Sequence, residues 1–355
     1  MTLQARHNPD RNNNFNLLRI LATVAVLVSH SYPISLGPGT PEPLDLVLDM
    51  SLGTLAVLSF FAISGYFISQ SFDNSGSVVD FGIARVLRIY PGLLAVLVLT
   101  AFALGPVFTK ADLMLYFSDR KTLLYIPRNL LLWPLQYELP GVFGDNAYPG
   151  AINGSLWTLA YEVACYVMVA VVGIFGLAPN LRRFAGFLIV YAVCYIAAFP
   201  LLRSNYSHLT ILQNIHLLAL PFVIGMALFQ FRQHVPLRLP ILAVLCAASA
   251  ISYQSPWFHE LFVLAWSYGI FYFGFLKCQP LQIYNRLGDY SYGMYIYAFP
   301  IQQIIAALYK ECTPLIMMML SLPLTLFFAV LSWHGIEKRT LAQKSAVSAW
   351  LSSHW

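Results

Sequence analysis

Along this chain the apolar positions come in long continuous runs separated by short polar segments, without the strict alternation of half-buried strands. Ten such runs lie near 15–36, 46–71, 82–108, 152–177, 183–202, 211–230, 237–254, 258–276, 288–309 and 314–334. A membrane-crossing helix needs about 20 mostly apolar residues, so each run predicts one spanning helix. A barrel would need ten-residue alternating segments instead, and none is present. Most connections are short, which predicts an all-α polytopic bundle of about ten transmembrane helices. Residues 109–151 form the one long connection. Its stretches Leu123-Leu124-Tyr125-Ile126-Pro127 and Leu130-Leu131-Leu132-Trp133-Pro134 are apolar but short and proline-broken. They fit an interfacial or re-entrant segment, or a loop that caps the bundle.

Composition narrows the class. The 355 residues are 59% hydrophobic and 10% charged, against about 25% charged in soluble domains. That excludes a cytosolic α/β enzyme, a disordered chain, a coiled coil and a disulfide-stapled secreted domain. Cys165, Cys194, Cys246, Cys278 and Cys312 lie in or beside apolar runs without metal-ligand spacing, so they read as small buried hydrophobes and no metal site is expected. The first run ends in His30-Ser31-Tyr32-Pro33, a poor cleavage site, and predicts a retained helix.

The net charge of +5 reports topology and not nucleic acid. With a cytoplasmic N-terminus, 14 of the 20 Lys and Arg, including Arg6, Arg11, Arg19, Arg85, Arg88 and Arg286, fall on one side. Six fall on the other: Arg203, Lys310 and four in the long loop. The expected layout is a cytoplasmic tail over 1–14, a transmembrane domain over 15–336 with 109–151 as its outer loop, and a cytoplasmic tail over 337–355.

Polar groups inside apolar runs are costly and therefore candidates for function. Arg19 and His30 are 11 positions apart in the first run. At about 100° per residue their side chains point within about 20° of each other, separated by roughly 16 Å of rise. The alternatives are snorkelling for Arg19 and a packed core role for His30. Asp80 reads as an N-cap of the third run. Arg85 and Arg88, at i and i+3, make a fork suited to phosphate, or serve only as topology determinants. Glu162, the one acid well inside a run, could orient His30 or pair with a basic residue for structure. Ser64, beside Gly65, reads as close helix approach or cavity lining. Trp157, Tyr161, Tyr292 and Tyr295 could line a polar cavity or bond between helices. A secondary transporter with His30 and Glu162 as a proton relay is the rival reading, although no inverted repeats are visible. A structural subunit of a glycan-export assembly is a second.

In order along the chain, these motifs resemble the acyltransferase type 3 family of bacterial integral membrane sugar O-acyltransferases. The resemblance rests on Arg19-x10-His30, Phe60-Phe61-x-x-Ser64-Gly65 and Arg85-x-x-Arg88-Ile89-x-Pro91. It continues through Ser155-Leu156-Trp157-x-Leu159-x-x-Glu162-x-x-x-Tyr166, Ser291-Tyr292-x-x-Tyr295 and Ile336-Glu337-Lys338. It covers about residues 12–340. It implies ten core helices in the bacterial inner membrane and no bound cofactor. Acyl-CoA, usually acetyl-CoA, would be co-substrate, and the acceptor a hydroxyl of a surface or lipid-linked glycan. By the same resemblance His30 is the catalytic histidine and Glu162 its support, while Arg19, Arg85 and Arg88 handle the donor. Where many members carry a histidine after the tyrosines of the ninth run, this chain has Tyr297-Ala298. No additional esterase-like domain is expected.

Overall fold

The computed structural model describes Leu3 and residues 13–202, 210–278 and 282–353. Arg6, Arg11, Arg203 and the side chain of Arg286 lie outside the described residues, as does most of the tail over 1–14. The described residues are helical, with one isolated antiparallel bridge, Thr109 to Val142. In chain order the helices are α1 (Phe15–Leu36), a four-residue turn of helix α2 (Asp45–Leu48), α3 (Leu52–Asp73) and α4 (Val78–Leu99). After α4 come a π turn (Thr100–Leu104) and a last turn Gly105–Phe108. Then follow α5 (Leu113–Ser118), α6 (Arg120–Leu131), α7 (Trp157–Ile174), α8 (Leu181–Leu202), α9 (Thr210–Gln230), α10 (Leu239–Ile251), α11 (Phe258–Gly274) and α12 (Ser291–Leu308). The chain ends on α13 (Pro314–Ser332), carried on by a π turn (Trp333–Glu337) and Lys338–Ala342, and on α14 (Lys344–Ser352).

Among the described residues seven helical segments are long and apolar enough to cross a membrane: Phe15–Leu36, Leu52–Asp73, Val78–Phe108, Gly154–Ile174, Leu181–Leu202, Thr210–Gln230 and Pro314–Leu351. The runs at 237–254, 258–276 and 288–309 also fold as helices, of 13, 17 and 18 residues. The protein is therefore multi-pass, with seven spans that meet the length and hydropathy requirement. On α8 only 6% of the apolar window is buried, so Ile189, Val190 and Val193 present an apolar face to lipid. Two local expectations change. The second span starts at Leu52 and not near 46, because Leu44 and Asp49 adopt left-handed backbone (φ 75° and 54°) and fold 37–51 into a loop. Asp80 is not a cap. It sits in the first turn of α4, where its charge suits the helix dipole, and it accepts a hydrogen bond from Ser348.

The chain divides into two compact units. The first comprises 1–19, 57–78 and 161–287, the second 20–56, 79–160 and 288–355. In the first, Phe15, Tyr66, Phe229, Phe271 and Phe275 form one buried cluster with Ala62 and Ile63. Lipid tails are as apolar as these rings, so packing and close approach, not transfer from water, bring the helices together. Gly65 and Gly225 permit that approach. A Cβ on Gly65 would fall 2.0 Å from the Phe222 carbonyl oxygen, and one on Gly225 would fall 2.2 Å from that of Ala62. Asn14 anchors the start of α1 by donating to the Phe273 and Leu276 carbonyls, both at 2.8 Å.

In the second unit α12 has 14 of its 18 residues buried, among them Gln302 and Gln303 at 0% exposure. Gln302 donates to the Leu27 carbonyl and the Ser31 hydroxyl, each at 2.9 Å, fastening α12 to α1. The long connection is ordered by a similar buried amide. Asn129 donates to the Tyr125 and Gln136 carbonyls and accepts the Gln136 N–H, so the chain leaving α6 has backbone partners without a sheet. Tyr116 of α5 donates to the Ala101 carbonyl at 2.8 Å, and burial pushes its phenol up to about 12.

Candidate active site

In the second half of α1 lies the sequence Ser29-His30-Ser31, and these neighbours face different partners. Ser31 turns back to the Leu27 carbonyl at 2.8 Å. Ser29 donates to the Glu42 carboxylate and accepts the Gly53 N–H at 2.9 Å, tying the loop after α1 to both α1 and α3. Gly53 must be small here, because a Cβ would lie 2.9 Å from the Ser29 hydroxyl. His30 lines a cavity of about 630 Å³ within the second unit, inside the range of about 300–1,000 Å³ usual for ligand pockets. Its Nδ1 is buried and has no hydrogen-bond partner among the described residues.

The cavity walls come from four parts of that unit. α1 supplies His30 and Pro33, and the loop 37–51 supplies Glu42, Asp45 and Asp49. The Gly154–Trp157 turn and Tyr148 supply a third wall, and Phe299 of α12 the fourth. The His30 ring meets Phe299 edge-on with centroids 5.4 Å apart, and Tyr148 meets Phe299 similarly at 6.0 Å. Gly154 lets this wall form, since a Cβ there would lie 2.6 Å from the Phe299 ring. Asn153 donates to the Ile296 carbonyl at 2.9 Å. Gln303 donates to the Tyr148 and Ala151 carbonyls at 2.9 and 2.6 Å. The buried amides of α12 and its partners thus hold the walls in register. Chemically the site offers an imidazole, three carboxylates and aromatic faces.

The other candidates divide between the units. Trp157 shares the cavity with His30. Glu162 belongs to the first unit, where it accepts hydrogen bonds from Tyr166 and, at 3.5 Å, from Ser64. Tyr161, also there, accepts from Asn214 at 3.1 Å, and the Arg19 guanidinium lies 5.6 Å from the Phe67 ring. In the second unit Tyr292 donates to the Ile89 carbonyl at 2.7 Å, and Tyr295 donates to the Ser155 carbonyl at 2.8 Å while meeting Thr158 at 2.6 Å. Both tyrosines bond between elements, and neither lines the cavity described here.

The two arginines of α4 have different surroundings. Arg88 is ion-paired with Asp289 at 2.6 Å and with Glu337 at 3.7 Å, and its guanidinium lies near the Tyr292 and Trp333 rings. Glu337 is 1% exposed and also accepts from Ser332 at 2.9 Å. Arg85 lies 5.9 Å from the Phe81 ring, one turn earlier on the same helix. Sequence reasoning missed Glu42, Asp45, Asp49, Tyr148 and Phe299 as wall residues, and Asp289 and Glu337 as the partners of Arg88.

Helices of this length around an imidazole-lined cavity define a multi-pass membrane protein with a candidate reaction centre. The chain matches the acyltransferase-domain pattern over residues 12–334 and belongs to the acyltransferase type 3 family. It is 30% identical over 355 residues to the O-acetyl transferase of Shigella phage Sf6, covering 94% of this chain and 98% of that protein. It is also 30% identical over 171 residues to Nodulation protein 10 of Rhizobium leguminosarum bv. viciae, covering 45% of this chain and 44% of that one. No solved structure matches it at a significant level. The protein is an acyltransferase.

Proposed function

We propose that the protein moves an acetyl group from cytoplasmic acetyl-CoA to a hydroxyl of a surface or lipid-linked glycan. In this reading it sits in the cytoplasmic membrane with both termini inside, and all ten apolar runs cross. The observation that carries it is His30 on the wall of a ligand-sized cavity. Similarity to the phage O-acetyl transferase along nearly the whole chain supports acetyl as the group and oxygen as its destination.

In the direct route the His30 imidazole takes the proton of a sugar hydroxyl as its oxygen attacks the thioester carbonyl carbon. The new C–O bond forms, the C–S bond breaks, and the CoA thiolate leaves and takes up a proton. In the covalent route the imidazole nitrogen attacks the thioester carbon, the C–S bond breaks and CoA leaves as its thiol. The sugar hydroxyl then takes the acetyl group as the N–C bond breaks, its proton passing to the freed imidazole. For the donor phosphates Arg85 and Arg88 are the candidate cations of the second unit, one turn apart on α4, with Arg88 oriented by Asp289 and Glu337. Arg19 is a separate candidate on the first unit. Glu162, held by Tyr166 and Ser64, is assigned a supporting role there.

The test is transfer of labelled acetyl from acetyl-CoA to glycan in membranes. General-base catalysis contributes about 10²–10⁴-fold, so His30→Ala should lose at least about 10²-fold while extracting from the membrane as wild type does. Near-normal transfer by that variant would sink the assignment. Arg85→Ala should raise KM for acetyl-CoA, and an unchanged KM would remove Arg85 from the donor site.

A further inference from the structure

We infer that the cavity around His30 selects an acceptor sugar without carboxylate or phosphate, a neutral hexose or deoxyhexose. This deepens the glycan-acetylation reading and rests on it. Among the described residues the lining includes Glu42, Asp45 and Asp49, and no lysine or arginine. Two of the acids are held in place. Ser29, next to His30, donates to the Glu42 carboxylate, and the Glu42 N–H donates to Asp45 Oδ2 at 3.0 Å. These two hydrogen bonds fix both carboxylates on the cavity wall that His30 shares.

Ionised carboxylates are acceptors only. They match the hydroxyl donors of a neutral sugar, each bond being charge-assisted. The rings of Trp157, Tyr148 and Phe299 supply apolar faces for the C–H side of a pyranose. A uronic acid or a phosphorylated sugar would instead bring a like charge among the carboxylates, with no Lys or Arg among the described lining residues to offset it. Such repulsion is a recognised means of rejecting a wrong partner. The buried Nδ1 of His30, without a hydrogen-bond partner among the described residues, points to a site that a ligand completes.

The experiment uses membranes containing the full chain, acetyl-CoA labelled in the acetyl group, and paired acceptors. One set is neutral methyl hexosides and methyl 6-deoxyhexosides; the other is the matching methyl hexuronides. Neutral acceptors should receive at least about tenfold more label than the hexuronides. In the variant combining Asp45→Asn with Asp49→Asn that ratio should fall to about threefold or less. The ratio is internal to each preparation, so a lower yield of folded variant does not affect it. Equal labelling of the two sets by the wild type, or a ratio unmoved in the double variant, overturns the selectivity and leaves acyl transfer standing. If neither set is labelled, and glycan labelling by His30→Ala membranes equals that by wild type, the acyl-transfer reading falls and the selectivity with it.

Discussion

In the first unit the buried centre is a set of aromatic rings around Tyr66 and Phe271. In the second, the most buried helix, α12, carries two glutamines at 0% exposure and spends their amides on α1 and on the Tyr148–Ala151 segment. Rings pack with little directional demand and fix distance. Amides demand partners at set angles and fix orientation as well. The cavity with His30 belongs to the unit built on amides. Acyl transfer needs its reacting atoms aligned to within a fraction of an ångström, which is the service that directional bonds provide.

The sharpest way to break the contrast lies in the first unit, where close approach is everything. Gly65→Leu would begin with an atom 2.0 Å from a backbone oxygen. The expected outcome is no monodisperse protein after detergent extraction. Gly82→Ala in α4 is the control, since nothing lies within 4 Å of its Cβ, and it should extract normally. A Gly65→Leu protein that extracts as wild type would mean that packing there is loose. The next effect is in the second unit. Arg88→Met strands Glu337, 1% exposed, without its cation. Removing one partner of a buried pair costs about 3–5 kcal/mol, read as a lowered Tm. Adding Glu337→Gln should recover much of that loss, and a double variant as unstable as the single would deny the coupling. Smaller again is Gln303→Leu, which removes the side-chain bonds to Asn146 and to the carbonyls of Tyr148 and Ala151 and leaves Asn146 only its bond to the main-chain carbonyl of residue 303. A loss of about 1–3 kcal/mol is expected, with a raised KM for acceptor because Tyr148 is a cavity wall.

How far this was visible in the sequence depended on whether the signal was local. Run length located the helices, since hydropathy is a property of consecutive residues. It also placed His30 and Trp157, which share the cavity. It could not tell that 46–51 belongs to a loop, because left-handed turns at Leu44 and Asp49 leave no trace in hydropathy. The acids of that loop were therefore overlooked. The available signal was three of the chain's 15 acids within residues 42–49, directly after the histidine helix. Spacing put Arg85 and Arg88 on one face, but the acids that hold Arg88, Asp289 and Glu337, lie more than 200 residues away in sequence. Glu337 belongs to the Ile336-Glu337-Lys338 motif, but local pattern supplies it no partner.

The weakest expected effect is the pair Lys121–Glu138 in the 109–151 connection, the exposed counterpart of Arg88–Glu337. Its atoms lie 2.8 Å apart, yet both side chains are more than half exposed, at 56% and 59%. Water and salt therefore screen most of the attraction. The hydrogen bond and charge of Glu138 hold the Lys121 ammonium above its ordinary range, which is about 10.4 in an unfolded chain. A raised lysine value means that the folded state binds the proton more tightly than the unfolded one. Its contribution is accordingly complete below the unfolded value and disappears as pH rises through the folded one. Lys121→Met should lower Tm slightly at pH 8, and the difference from wild type should shrink as pH climbs past the ordinary lysine range. A gap that stays constant across that window would mean that the lysine's effect does not come from its charge.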